Sequence, residues 1–295
     1  MIQKILVPLD GSSAAEMALP WTEEIAVKPE ASITLIMATG HERQDLEPLY
    51  RSYLERISGM VQARLASRGA HPPTGLNIRV MKGAPADEIL HCSEEERADL
   101  IVMSSRGSTQ HHAWLIGSIA TRVTMHSSKP VLVIKNPAQQ VAVEPTKVFK
   151  RILVPLDGSV AGEAALPFTE ALAQTLGSEI ILINAVEPIE TWVDNGAGGV
   201  YEGMRKPEDD KTIPLAYLGN IQGRLREKGL KVEVVVQDGS PAELIVNYAT
   251  SEGIDAIAMS THGRSGVGRW FFGNVTEKVL QYGKPAVFVV HAGEV

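Results

Sequence analysis

The stretch ILVPLDGS at Ile5–Ser12 decides the fold, because the same eight letters return at Ile152–Ser159. Two chance copies of one octapeptide are very improbable, so the chain is expected to contain an internal duplication. Each copy joins a short apolar run, typical of a buried strand, to a proline, an aspartate and a Gly-Ser turn. The sequence therefore predicts two structural units that each begin with a strand.

The duplication extends over nearly the whole chain. The segment GAPADEI from Gly83 matches GSPAELI from Gly239. Asp10 and Gly83 are 73 positions apart and Asp157 and Gly239 are 82 apart, so the second copy carries nine extra residues. The polar, glycine-rich segment Glu190–Asp210 is the expected place of this insertion, as a flap over a pocket of the second copy or as a solvated loop.

Length and charge limit the class of protein. The 295 residues predict about two domains, which we assign to residues 1–136 and 150–295, with a linker at 137–149. The net charge of −7 argues against nucleic acid or a membrane surface as a partner. The single cysteine, Cys92, cannot form an internal disulfide, and no apolar run approaches the length of about 18 residues that a membrane span needs. A cytoplasmic protein is expected.

Short apolar runs alternate with longer helical patterns in the first copy. The predicted strands are Ile5–Pro8, Ile33–Ala38, Ile78–Met81, Leu100–Met103 and Val131–Ile134. The predicted helices are Ser13–Ala26, Leu46–Arg68, Pro85–Glu96 and Ser118–His126. Runs rich in Val, Ile and Leu are typical of parallel strands buried on both faces, and strand–helix alternation gives a parallel sheet covered by helices. The predicted fold class is therefore α/β, with two doubly wound, parallel, five-stranded lobes related by tandem duplication.

The last strand of each lobe is expected to bring the lobes together. Val131–Ile134 and Ala286–Val290 are apolar and carry no edge-blocking charge, and such an edge favours pairing with another strand. We expect the two lobes to pack as a pseudo-twofold dimer within one chain, and two chains to associate as a homodimer.

The ends of the first and fourth strands are the expected place for ligand chemistry. A doubly wound sheet binds ligands outside the carboxyl ends of its strands, where the strand order reverses. Asp10 and Asp157 directly follow the two first strands. The loops after the fourth strands, Ser104–Ala120 and Ser260–Thr276, contain glycines and lead into a helix, whose N-terminus favours phosphate.

These motifs closely resemble the universal stress protein family in tandem form, with its Rossmann-like, adenine nucleotide alpha hydrolase-like fold. The resemblance covers both halves and rests on strand-PxDGS, a later GxPAxxI and a fourth-strand loop with Gly-x9-Gly. The ATP-binding members carry G-x2-G-x9-G-(S/T) in that loop, and Gly107, Gly117 and Ser118 match its last three defined positions. Ser104 and Ser260 stand where the family has the first glycine.

The resemblance implies that ATP, with or without Mg²⁺, binds in one or both lobes. In lobe one the implied binding residues are Pro8, Leu9, Asp10, Ala38, Ser104, Arg106, Gly107, Gly117 and Ser118. In lobe two they are Pro155, Leu156, Asp157, Ala185, Ser260, His262, Gly263, Arg264, Gly266, Gly273 and Asn274. The two aspartates would bind ribose or a phosphate-bound metal, the backbone of the two alanines would read adenine, and the glycine loops would cradle phosphates. Asn274 stands where Ser or Thr is usual in the family.

Each of these features also has a purely structural interpretation. A glycine-bearing loop between a strand and a helix is often only a turn. An aspartate after a strand commonly caps a helix, and DGS could cap the first helix of each lobe. His262 fits packing within its loop as well as contact with a ligand.

The resemblance implies a stress-response regulatory protein that binds ATP or another adenine nucleotide. No G-x-x-x-x-G-K-[ST] motif is present, which argues against a P-loop NTPase. No general base is identifiable beside the phosphate loops, so at most weak ATPase activity is expected. A ligand-free dimerisation scaffold and a slow ATP-hydrolysing enzyme are the alternatives. Because Arg264 and the flexible Gly266 suit a triphosphate, we expect tighter binding in lobe two.

Overall fold

One ten-stranded sheet contains both copies of the repeat. The computed structural model describes residues 2–27, 31–40, 46–68, 75–107, 116–135, 148–187, 190–194, 200–204, 211–262 and 272–292. Residues 2–135 are called lobe one and residues 148–292 lobe two.

Each lobe contributes five strands to the large sheet. Those of lobe one are β1 (Lys4–Pro8), β2 (Ser32–Thr39), β3 (Gly75–Lys82), β4 (Leu100–Ser104) and β5 (Val131–Ile134). Those of lobe two are β6 (Arg151–Pro155), β7 (Glu179–Val186), β10 (Lys231–Asp238), β11 (Ala256–Ser260) and β12 (Ala286–Val290), and a separate antiparallel hairpin is formed by β8 (Glu190–Asp194) and β9 (Val200–Met204). The order across the large sheet is β10-β7-β6-β11-β12-β5-β4-β1-β2-β3.

The helices connect these strands. Lobe one contains α1 (Ser13–Glu16), α2 (Leu19–Ile25), α3 (Glu47–Ser67), α4 (Pro85–Glu95) and α5 (Ser118–His126). Lobe two contains a 3₁₀ helix (Gly162–Ala165), α6 (Leu166–Leu176), α7 (Thr212–Glu227), α8 (Pro241–Ser251) and α9 (Asn274–Tyr282). Within the large sheet, neighbouring strands of the same lobe are all parallel. The predicted doubly wound α/β fold is confirmed. None of the described helices is both long and apolar enough to cross a membrane.

Two apolar cores lie on opposite faces of the sheet. Alternate side chains of a strand point to opposite faces, so Ile5 and Val7 of β1 belong to one core and Leu6 to the other. The first core includes buried residues of α2, α3, α6 and α7, and the second includes buried residues of α4, α5, α8 and α9. Both cores contain residues of both lobes, because the sheet that separates them is continuous.

The expected single helix over Ser13–Ala26 is wrong, since the chain forms α1 and α2 instead. Pro20 lies in the first turn of α2. Proline lacks a backbone N–H, and in a continuous helix its ring would clash with the carbonyl of Glu16. Pro167 occupies the equivalent place at the start of α6, where a 3₁₀ helix precedes the α-helix. The helix therefore starts anew at each proline.

The lobes are joined by the antiparallel pair β5–β12, which we call the interlobe seam. Its register places Leu132 opposite Phe288. On one face of the seam the ring of Phe149 lies 4.8 Å from that of Trp21 and 5.6 Å from that of Phe288, and the Phe168 ring lies 5.2 Å from Phe288. The contact of the lobes within one chain agrees with the expectation drawn from the apolar edge strands.

The seam leaves β3 and β10 as the outer strands of the sheet. Both carry charged residues, among them Arg79 and Lys82 on β3 and Lys231 and Glu233 on β10. Charge on an edge strand opposes pairing with another sheet. A homodimer stays a prediction, and the seam strands are not available to form it.

The segment Glu190–Asp210, in which the nine extra residues are expected, contains the hairpin β8–β9, with Asp194 paired to Val200. It follows the end of β7 and precedes α7. The glycines at 196, 198 and 199, on which the expected flap depends, lie outside the described residues, so the flap stays a prediction.

Truncation of Phe149 tests the seam. Phe149 is fully buried between the lobes, so Phe149→Ala leaves a cavity and is expected to lower the free energy of unfolding by roughly 3–5 kcal/mol. Guanidinium denaturation measures the change. Tyr282 is 55% exposed, and the control Tyr282→Ala is expected to change the free energy of unfolding by about 0.5 kcal/mol or less. Equal losses in the two variants would contradict the aromatic seam.

Candidate functional site

The order of strands reverses once in each lobe, between β1 and β4 in lobe one and between β6 and β11 in lobe two. Helices on opposite faces diverge at such a point and leave a crevice at the carboxyl ends of the strands. In lobe two this crevice is a cavity of about 770 Å³. It lies where sequence analysis places ligand chemistry.

The cavity gathers the predicted residues of lobe two. Its lining includes Pro155, Leu156, Asp157, Ala185, Ser260, His262, Gly273 and Asn274. The other three predicted residues, Gly263, Arg264 and Gly266, lie outside the described part of the chain. Residues from four segments that are far apart in sequence thus line one space.

The DGS turn has the same hydrogen bonds in both lobes. The Asp157 Oδ1 atom accepts hydrogen bonds from the backbone N–H of Ser159 at 3.0 Å and from its hydroxyl at 2.6 Å, and the Ser159 Oγ accepts one from the Gly162 N–H at 3.0 Å. In lobe one Asp10 holds Ser12 in the same way, and Ser12 is the N-cap of α1. In lobe one the turn therefore does cap the helix, but through Ser12. In both lobes the aspartate orients the serine, and Asp157 also lines the cavity.

Ser104 and Ser260, which stand where the family motif has its first glycine, form hydrogen bonds within their own loops. The Ser260 hydroxyl donates to the carbonyl of His262 at 2.5 Å, and the Ser104 hydroxyl donates to the carbonyl of Arg106. Both serines are buried. Their side chains close a tight turn at the end of the fourth strand, which explains how the loop tolerates them.

The second glycine of each Gly-x9-Gly pattern begins the last helix of its lobe, as predicted. Gly117 is the N-cap of α5 and Gly273 that of α9. Their N–H groups donate to the carbonyls of Ser105 at 2.7 Å and Thr261 at 2.8 Å, so these donors are already used. The donors that an anion could reach are the next N–H groups of α9, which precede its first intrahelical bond.

Lobe one places Gly107 directly against Asp10. A Cβ atom added to Gly107 would lie 2.1 Å from the Asp10 Oδ2 atom, so any other residue would collide with the carboxylate unless the loop moved. The structure therefore brings together two predicted residues of lobe one. It also places Ala38 in β2 at the position equivalent to Ala185 in β7, since Pro8 pairs with Ile36 as Pro155 pairs with Ile183.

Asn184 is a cavity residue that sequence analysis missed. It lies in β7, is 7% exposed, and lines the cavity. Its Nδ2 atom donates to the carbonyl of Leu156 at 2.6 Å, which fixes the residue that precedes Asp157. The signal in the sequence was an amide within the apolar run IILINAV, at a position where lobe one has Met37.

The two lobes differ in the side chains beside the fourth-strand loop. In lobe two the rings of His262 and His291 are 6.5 Å apart, and the His262 Nε2 atom is buried without a hydrogen-bond partner among the described residues. The equivalent residues of lobe one are Arg106 and Lys135, because Ser104 pairs with Ile134 as Ser260 pairs with Val290. Burial, and then the charge of Arg106, lower the pKa of Lys135 to about 8.

Comparison with known proteins agrees with these observations. A family model described as the universal stress protein family matches residues 1–135 and 149–291. A universal stress protein of Methanocaldococcus jannaschii is 29% identical over 154 residues, which cover 48% of this chain and 95% of that protein. One of Mycobacterium tuberculosis strain H37Rv is 24% identical over 299 residues, covering 97% of this chain and 95% of that protein. The crystal structure of one from Archaeoglobus fulgidus shares the fold, with a TM-score of 0.68, 21% identity and 98% of both chains covered.

Replacement of Asn184 tests its hold on the DGS turn. Asn184→Leu keeps the volume but leaves the buried Leu156 carbonyl without its donor, which is expected to cost about 1–3 kcal/mol in the free energy of unfolding. Urea denaturation measures the loss. The matched control in lobe one is Met37→Leu, a nearly volume-conserving exchange that removes no hydrogen bond. A loss no larger than that of the control would show that the hydrogen bond contributes nothing.

Lys135 generates a pH dependence of stability. Its pKa is about 8 in the folded chain and about 10.4 when unfolded, so below pH ~8 the folded state bears the cost of a partly buried ammonium group. Between these pKa values the unfolded chain binds more protons, and stability rises with pH. Lys135→Met is expected to be more stable than the parent near pH ~7, with the difference shrinking towards pH ~10. Urea denaturation across this range measures the difference, with the exposed Lys284→Met as control, and a pH-independent difference for Lys135→Met would contradict the prediction.

Proposed function

The chain belongs to the universal stress protein family, and from this membership we propose that it is a regulatory stress-response protein that binds ATP or another adenine nucleotide, most tightly in lobe two. The observation that carries the proposal is the cavity of about 770 Å³ lined by the predicted residues of that lobe. Its volume is in the range of small-molecule sites.

The order of the strands supplies an orientation for the nucleotide. Ala185 belongs to β7, Asp157 follows β6, and Gly273 and Asn274 lie after β11. These strands are neighbours in the order β7-β6-β11, with about 4.8 Å between neighbours. A nucleotide laid across the three strand ends would place its base over β7, its ribose beside Asp157 and its phosphates at the start of α9.

The chemical character of the lining supports the same orientation. Near β7 the cavity is bordered by Ile183, Val186 and Ile245, whose apolar side chains suit a flat base. At the other end the first N–H groups of α9 and the dipole of the helix suit phosphate. The buried His262 Nε2 atom lies at this end too, and a ligand oxygen would supply the partner that it lacks.

Asp157 is the residue that would meet the ribose or a phosphate-bound Mg²⁺. Magnesium is commonly held by one or two carboxylates together with phosphate oxygens and water, and Asp157 provides one carboxylate in the cavity lining. No group of three or more His, Cys, Asp or Glu side chains suited to a metal occurs in the described ranges. The residues of the cavity therefore fit Mg²⁺ that is bound to the phosphates of the nucleotide, rather than a metal held by the protein alone.

The remaining parts of the proposal follow from the sequence. The protein is proposed to act by binding rather than by catalysis, with at most weak ATPase activity. Division into a first domain at 1–136, a linker at 137–149 and a second domain at 150–295 is kept as a proposal, as are a cytoplasmic location, a homodimer and the lack of a nucleic-acid or membrane partner.

Filling the base end of the cavity tests the proposal. Ala185→Phe puts a ring where the base would lie, and it is expected to abolish the tighter of the nucleotide-binding events in calorimetric titration of ATP into protein stripped of nucleotide. The matched variant Ala38→Phe makes the same change in lobe one and is expected to leave that event intact. Loss of the event in Ala38→Phe but not in Ala185→Phe would contradict lobe two as the tighter site. No ATP binding by the parent protein would favour a ligand-free scaffold, and steady-state release of phosphate at an enzyme's rate would favour a hydrolase.

A further inference from the structure

Lys278 lies on the cavity face of α9. Asn274, Val275 and Lys278 all line the cavity, and Lys278 is four residues from Asn274 and three from Val275, the spacings at which helical side chains are neighbours. Lys278 comes one turn after the Gly273–Asn274 start of the helix. Since side chains on a helix lean towards its N-terminus, the Lys278 side chain extends along the cavity face of α9 rather than away from the cavity.

The residue of lobe one that is equivalent to Lys278 forms an ion pair within its own lobe. Arg122 is the fifth residue of α5, as Lys278 is of α9. The Arg122 guanidinium forms an ion pair with Asp87 on α4 at 2.7 Å. In lobe two Glu243 stands at the position of Asp87, as the third residue of α8, and no ion pair joins it to Lys278 within the described residues. The cation of lobe one is engaged by its own lobe, whereas that of lobe two faces the cavity.

The charges of the cavity are separated along the sheet. Its carboxylates, Asp157 and Glu187, follow β6 and β7, whereas Lys278 lies beyond the end of β11. An anionic group of a ligand would therefore be attracted to the α9 end. A phosphate chain that starts at the N–H groups of the first turn would extend its outer phosphates towards the Lys278 ammonium.

We infer that Lys278 contacts the outer phosphates of a nucleotide in lobe two, so that this site selects nucleotides by the number of their phosphates. The inference rests on the proposed function and goes beyond it, because it assigns the discrimination between nucleoside tri- and monophosphates to one side chain. A lysine acts on phosphate as a mobile point charge. Its contribution depends on a phosphate within its reach, which the single phosphate of a monophosphate, bound at the first turn, would not provide.

The experiment compares three ligands and three proteins. ATP, ADP and AMP are titrated calorimetrically into the stripped full-length parent, into Lys278→Gln and into Arg122→Gln. Lys278 is exposed, so its replacement is expected to leave the fold intact, and the thermal midpoint of unfolding checks this. A hydrogen bond to a charged group is worth about 1.5–3 kcal/mol, so Lys278→Gln is expected to weaken ATP binding roughly 10- to 100-fold. AMP affinity should change less than about twofold.

The outcomes separate this inference from the proposed function. A fall in the ratio of ATP to AMP affinity in Lys278→Gln, with no change in Arg122→Gln, supports the contact with the outer phosphates. Equal losses for ATP and AMP, or no loss for ATP, would overturn it while leaving nucleotide binding in place. If the parent protein bound none of the three nucleotides, the proposed function would fail, and this inference with it.

Discussion

The antiparallel register of β5 and β12 is the constraint on which the rest of the structure depends. Each lobe alone would end in an apolar strand with one row of unpaired backbone groups, and a free edge of that kind favours association with other chains. The seam pairs these groups within the chain and lets the aromatic rings around Phe149 close over it. The sheet becomes continuous, and so do the two cores on its faces. Every strand end that lines the cavity is positioned by that sheet.

The duplication repeated the backbone more faithfully than the side chains. The DGS turn, the serine that closes the fourth-strand loop and the glycine that begins the last helix have the same hydrogen bonds in both lobes. The side chains around them have diverged, with Met37 against Asn184 and Arg106 against His262 as two examples. In lobe two these changes put polar groups into a cavity. In lobe one the charge of Arg106 contributes to the lowered pKa of Lys135, and Arg122 is paired with Asp87. One fold thus carries two different chemical environments.

Several polar groups of the site are held by hydrogen bonds to residues close to them in sequence. Asp157 orients Ser159, the Ser260 hydroxyl closes its own loop, and the Gly273 N–H bonds to Thr261. These groups form a rigid frame, because each is held by the backbone near it. Under the proposed function, the groups that would meet the phosphates are the first N–H donors of α9, the buried His262 nitrogen and the Lys278 ammonium. All three suit an anion. His291 directly follows β12, and its ring lies 6.5 Å from that of His262, so the site and the seam are neighbours in the structure.

By itself the sequence determined the duplication, the parallel α/β fold and the strand ends at which the site lies, because buried parallel strands, glycine-bearing turns and helix starts are local patterns that neighbouring residues specify. Prediction from the sequence failed where the structure depends on a contact between residues distant in sequence, or on one residue that opposes the pattern around it. Pro20 divided the first helix against an otherwise helical pattern. Asn184 was missed, because its role depends on a hydrogen bond to the Leu156 carbonyl, which is distant in sequence. The difference between Arg122 and Lys278, two cations at one helical position, is decided by whether an acid on the neighbouring helix comes within reach. Only the tertiary structure brings those helices together, since the distance between side chains on separate elements depends on how the elements pack.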